Sequence, residues 1–169
     1  MLHILACLLA FGQPKATHDD YTSVIAIYER YSPKINDMAF WEKADVQNKD
    51  KKTFKLKEMT PEERDMFVLI FAKRLTKEGY DLQQSWEKEL KRFERDSYKS
   101  DDKNVATKNE VGQYCLRLRQ SRAKLATELE RFVDESSKRL KGRVNDTELK
   151  DMVKGVKKYH DSIKIIERK

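Results

Sequence analysis

Glycine and proline are scarce in this 169-residue chain, with five and three occurrences, and runs of β-branched residues are short. A sheet protein needs turn residues and β-branched stretches, so the shortage argues against one. Cysteine occurs only as Cys7 and Cys115, which excludes a disulfide framework and makes a structural zinc site untenable. Histidine is almost as rare, and His18 and His160 lie far apart in the chain. A metal-hydrolase helix needs two histidines four residues apart beside a glutamate, and that spacing is missing. The glycines are too scattered to build a phosphate-cradling loop, and no nucleophile-elbow pattern occurs. Acidic pairs such as Glu62/Glu63, Asp101/Asp102 and Asp134/Glu135 fall at turns or on polar faces. They read as solvated surface rather than as acid–base pairs. The expectation is a protein that is not an enzyme, with no cofactor and no metal.

Long apolar runs are also absent, except at the very start. Leu2 to Phe11 carries no formal charge, and Ala10 and Gly12 place small residues at −3 and −1 of a cut before Gln13. Residues 1–12 therefore have the shape of a secretory signal peptide, too short to span a bilayer. No Lys or Arg precedes the run, which departs from the usual pattern; an N-terminal core helix is the competing reading. Export implies a secreted, extracellular protein. With Cys7 in the signal, Cys115 is alone in the mature chain, either a buried small hydrophobe or half of an intermolecular disulfide. Asn145-Asp146-Thr147 fits a glycosylation acceptor in an exported chain, and Asn145 equally suits a helix cap.

What is plentiful is charge, at 38%, balanced by 38% apolar residues in helical spacing. Asp19 or Asp20 is placed to cap a helix to about Tyr31, ended by Ser32-Pro33. Met38 to Trp41 forms a short apolar turn or helix, and Asp45 to Lys57 reads as a polar, lysine-rich linker. Thr60-Pro61-Glu62-Glu63 is a capping box with proline at the first helical position. The helix it opens runs to about Arg74 and buries Met66, Phe67, Ile70 and Phe71. Thr76 is then placed to cap another, with Leu82, Trp86, Leu90 and Phe93 on one face. Ser97 to Asn104 breaks the pattern. Val111, Cys115, Leu118, Leu125, Leu129, Phe132, Ser136 and Leu140 mark a helix of about nine turns, interrupted at Arg122. Gly142 suits its end, and Asn145 opens a last helix through Leu149, Met152, Val156, Tyr159 or His160, Ile163 and Ile166. The fold class is all-α: a bundle of four to five amphipathic helices, one long. Its organisation is 1–12 signal peptide, 13–58 N-terminal helix and polar linker, and 59–169 helical bundle domain.

The net charge of +7 is unevenly spread. Residues 1–116 hold 20 basic and 20 acidic side chains, whereas 117–169 hold 16 basic and 9 acidic. A basic helix pair suits an anionic surface or an extracellular protein partner, or else is a solvated face. No nucleic-acid reader motif accompanies it, so nucleic acid is not an expected partner. Phe67, Phe71, Trp86, Leu90 and Phe93 all fall on inner faces, where bulky rings either pack solidly or leave a cleft for an acyl chain. Arg122 is the candidate partner for a carboxylate head group, unless it snorkels to solvent over its packed stem.

Phe67, Ile70, Leu75-Thr76-Lys77-Glu78, Trp86 and Phe93 together resemble the first helical motif of the nematode SXP/RAL family of small secreted proteins. Leu129 to Ile163 is compatible with that family's second half in length and periodicity. Phe54 to Arg64 and Glu128 to Leu140 are similar to segments of the nematode fatty-acid- and retinol-binding proteins. Both resemblances imply a secreted helical protein linked to hydrophobic ligands and without catalytic residues, and the SXP/RAL resemblance implies an antigen. The functional expectation is a binding protein holding a fatty acid or similar lipid between helices. The alternative is an extracellular interaction factor acting through its basic C-terminal helices.

Overall fold

A computed structural model describes residues 16–47, 53–95, 103–140, 147 and 164–167. The architecture is an all-α bundle, with a small three-stranded sheet at one end. Helix α1 (His18–Tyr31) opens at Thr17 rather than at Asp19 or Asp20. The Thr17 N–H donates to Asp20 Oδ2 at 2.8 Å, and the Asp20 N–H returns a bond to the Thr17 hydroxyl at 3.4 Å. The three-residue spacing of a capping box decides the start, because each partner satisfies the other's free N–H. Pro33 then sits in a single 3-10 turn, Ser32–Lys34, which ends α1. Helix α2 (Met38–Lys43) is capped by Asp37, which accepts from the Phe40 N–H at 3.0 Å.

The described residues of the stretch expected as a polar linker lie instead in two strands and a 3-10 turn. Strand β1 (Ala44–Gln47) pairs antiparallel with β2 (Thr53–Lys55), Val46 opposite Phe54. Strand β3 (Lys164–Glu167) pairs antiparallel with the other edge of β1, giving the order β2-β1-β3. Ala44, Val46 and Leu56 are buried. Ala44 and Val46 of β1, with Leu56 in the 3-10 turn after β2, anchor the sheet despite the lysines around them. Ile166, expected on the face of a last helix, lies in β3 opposite Asp45. The adjacent pair of β-branched residues Ile165 and Ile166 favours the extended state there.

Helix α3 (Pro61–Arg95) begins with the expected box: the Thr60 N–H donates to Glu63 Oε2 at 2.9 Å, and the Glu63 N–H to the Thr60 hydroxyl at 3.2 Å. It does not stop near Arg74. Thr76 caps nothing, since its hydroxyl donates to the Ala72 carbonyl one turn back at 2.9 Å. That back-bond lets a threonine sit inside a helix, and no proline lies nearby to end it. The two expected helices are one, of 35 residues. Helix α4 (Lys108–Leu140) has 33 residues, the expected nine turns, and buries Val111, Cys115, Leu118, Leu125, Phe132 and Ser136 as its spacing indicates. Thr107 and Glu110 form a further capping box at its start.

Cross-helix bonds fix the packing. Asp65 with Arg139, Gln83 with Arg122 and Glu87 with Arg119 set α3 and α4 antiparallel. Glu29 with Arg117, Ser32 with the Ser121 carbonyl and Asn36 with Glu128 run α1 and its following turn alongside α4 in the same direction. Tyr21, Val24, Ile25 and Tyr28 of α1 join one core with residues of α3 and α4. The described residues of 13–58 thus share one core with those of 59–169. Residues 1–12, Gly142, Asn145 and the expected helical face from Leu149 to Ile163 lie outside the described residues, apart from a helical Thr147.

Candidate functional site

Continuity of α3 decides where the expected ligand-binding residues go. Phe67 and Trp86 are nineteen positions apart on one uninterrupted helix, about 28 Å at the α-helical rise. They cannot line one small cleft. Phe67 and Phe71 instead enter a ring cluster with Trp41, Tyr31 and Phe40. Trp41 meets Phe71 edge-on at 5.5 Å between ring centroids, and Tyr31 meets Phe71 edge-on at 5.5 Å. The Trp41 indole N–H donates to the Lys34 carbonyl at 2.8 Å, so its one polar atom is satisfied. Edge-to-face contact aligns the positive rim of one ring with the negative face of another and holds the cluster rigidly.

Trp86 belongs to a second cluster near the other end of the bundle. It meets Tyr21 edge-on at 4.8 Å, and Tyr21 stacks on Tyr114 at 5.0 Å. The Tyr21 hydroxyl donates to Glu89 Oε2 at 2.6 Å; burial first, then that carboxylate, drives its pKa far upward. Tyr114 in turn bonds the His18 Nδ1 at 2.8 Å, and His18 Nε2 lies 3.7 Å from Glu110 Oε2. Leu90 and Phe93 are half-buried against the core, further along α3.

Arg122 lies nearer the second cluster, on the seam between α3 and α4. Its Nη1 donates to Gln83 Oε1, and its guanidinium rests over the Tyr80 ring at 5.4 Å. The Nε is buried with no hydrogen-bond partner among the described residues. Beside it, Tyr28 donates to the Leu75 carbonyl at 3.0 Å and packs directly over Gly79. A Cβ at Gly79 would stand 2.8 Å from the Tyr28 ring, so only glycine lets α1 approach α3 this closely.

The spacing of the basic side chains of α4 does not disclose their partners, which lie mostly on other helices. Arg117, Arg119, Arg131 and Arg139 each pair with a carboxylate: Glu29, Glu87, Glu135 and Asp65. Within 117–140 there are seven basic and four acidic residues, and the acids of α1 and α3 offset much of that excess. Residues 141–169 carry nine basic against five acidic. Arg64 was also not anticipated as a buried charge. It donates to the Leu56 and Met59 carbonyls and to Glu42, tying the sheet end to α3. Cys115 is a buried free thiol.

The fold and these sites define a helical bundle around one hydrophobic core. No three of its described His, Cys, Asp and Glu side chains converge as metal ligands. No helix among the described residues is long and apolar enough to cross a membrane. Comparison with protein-family models, curated proteins and solved structures gives no match to the chain.

Proposed function

We propose that this chain is an exported, non-enzymatic interaction factor that engages an anionic partner, a protein or an anionic surface, through its basic C-terminal segment. One observation carries the reading: Phe67, Phe71 and Trp86, expected to line a ligand cleft, are spent in two separate ring clusters, while Arg117, Arg119, Arg131 and Arg139 of α4 are paired within the chain. Recognition then falls to the outside, and four of the seven net positive charges fall after Leu140. Export rests on the apolar run of residues 1–12, and the likeness to secreted helical worm antigens supports the same reading.

Binding of this kind weakens with ionic strength, because exposed charges are screened over about 8 Å at physiological salt. The test is capture from extracellular fluid at low and high salt, compared between the native chain and a Lys154→Gln/Lys157→Gln/Lys158→Gln variant. Retention that falls with salt and with the substitutions supports the proposal. Retention indifferent to both removes it.

A second reading, a fatty acid or similar lipid held between helices, is favoured by one particular site. Half-buried Leu90 and Phe93 continue the apolar face past Trp86, and Arg122 keeps a free buried N–H on the seam nearby. Titration with a fluorescent fatty acid, followed through tryptophan emission, tests it. Saturable binding lost in Phe93→Ala and Arg122→Gln supports the lipid reading, and an unsaturable response refutes it.

A further inference from the structure

Among the described residues, the large apolar side chains that stand exposed are Tyr80, Leu116 and Val133. They share one face. Arg122 rests over Tyr80 and Arg119 pairs with Glu87, so this flank of α4 borders α3; Arg117, pairing with Glu29, marks the opposite flank toward α1. Along the α3 flank, Leu116, Arg119, Ala123, Ala126, Glu130 and Val133 follow one another at spacings of three and four, and all six are exposed. These positions form one exposed row at heptad spacing, mixing apolar side chains with one charge of each sign, and the row is distinct from the stripe that α4 buries in its own core.

We propose that this row pairs two copies of the chain, antiparallel about a two-fold axis between Ala123 and Ala126. The order of the side chains selects this partner. In the antiparallel arrangement Leu116 of each copy meets Val133 of the other, and Arg119 meets Glu130. The two alanines face each other at the centre, where their small side chains let the backbones approach. A two-fold interface needs a surface that complements itself, and this one reads the same from either end. Parallel pairing would set Arg119 against Arg119 and Glu130 against Glu130, which like charges disfavour. Tyr80 lies on α3 level with the axis, because Gln83 is level with Arg122, so it widens the contact at its middle. The row from Leu116 to Val133 is about 26 Å long, which fits a modest, concentration-dependent dimer rather than an obligate one.

Sedimentation equilibrium of the full chain, from low to high micromolar concentration, reads this directly. The average mass rises from 20.0 kDa toward twice that value as concentration increases. Ala126→Glu places like charges beside the axis and shifts the midpoint at least tenfold, with the circular dichroism unchanged because the position is exposed. Glu130→Arg sets like charges against Arg119 of the other copy and weakens pairing similarly. A chain that stays at the mass of one copy throughout overturns the proposal. So does association that Ala126→Glu leaves untouched.

Discussion

Arg139, on the last turn of α4, donates from Nε to Asp65 Oδ2 at 2.9 Å, and the Asp65 side chain is only 5% exposed while Arg139 is 43% exposed. The carboxylate is inside and its cation reaches in from the rim. Removing the cation strands a buried negative charge, whereas removing both partners strands nothing. Arg139→Ala is expected to cost about 1–3 kcal/mol in urea unfolding. Asp65→Ala/Arg139→Ala should cost clearly less than the two single changes added together. Full additivity would show that the pair is not coupled.

Gly79 and Gly112 make opposite predictions from the same substitution. Both lie inside helices, where alanine is intrinsically better by about 1 kcal/mol. At Gly112 nothing stands within 4 Å of an added Cβ, so Gly112→Ala should raise the melting temperature. At Gly79 the added atom meets the Tyr28 ring at 2.8 Å, its hydroxyl at 2.9 Å and Arg122 Cδ at 3.0 Å. Tyr28 is buried and anchored to the Leu75 carbonyl, so it cannot yield cheaply. Gly79→Ala should lower stability by about 1–3 kcal/mol despite its helix preference. A stabilised Gly79→Ala would mean that α1 is not held against α3.

Burial, with Glu87 and Glu89 adding to it, pushes the Cys115 thiol from 9.0 up to about 11. The folded chain therefore holds this proton more tightly than the unfolded chain. The stability this contributes is complete below pH 9 and is lost as pH rises from about 9 to about 11. Tyr21 and Tyr28, both raised chiefly by burial, extend the loss to more alkaline pH. Chemical denaturation across this range should show a steep alkaline decline that is shallower in Cys115→Ala. Alkylation of the native thiol at pH 8 should be at least about a hundredfold slower than that of an unfolded one.

Thr107 holds Glu110 in a capping box, and its side-chain and backbone donors keep the Glu110 carboxyl below its ordinary range. Thr107→Ala should cost about 1 kcal/mol, as the loss of a good N-cap does. It should also raise the pH at which Glu110 titrates, an effect that carbon-detected NMR of the carboxylate resolves. An unmoved Glu110 titration would separate the box from the stability of α4.

Features set by neighbours three or four residues away were legible in the chain itself. The Thr60–Glu63 box, the Pro33 stop and the buried stripe of α4 are of this kind. Thr17 and Thr107 carried the same spacing of threonine to an acid three residues on, and either start was open to that argument. Thr76 misled because a threonine within a helix and one at its start look alike until the hydroxyl's partner is known. That single difference moved the candidate site: a break there would have let Phe67 and Trp86 fold toward each other, and continuity keeps them about 28 Å apart. Arg122 was marked by its interruption of an apolar stripe, but Gln83 and Tyr80 come from another helix. The hairpin escaped notice because five of the thirteen residues from Asp45 to Lys57 are lysines, and because its second partner, β3, lies more than a hundred positions downstream.

That last pairing has a kinetic meaning. β1 receives β2 from a few residues away and β3 from the far side of both long helices, joining Ala44 to Glu167. A ribosome would display the hairpin and the helices well before the strand that covers the other side of β1, leaving an unpaired template exposed meanwhile. Closure of that edge is the least local event in the structure and should come late, after the helices have docked.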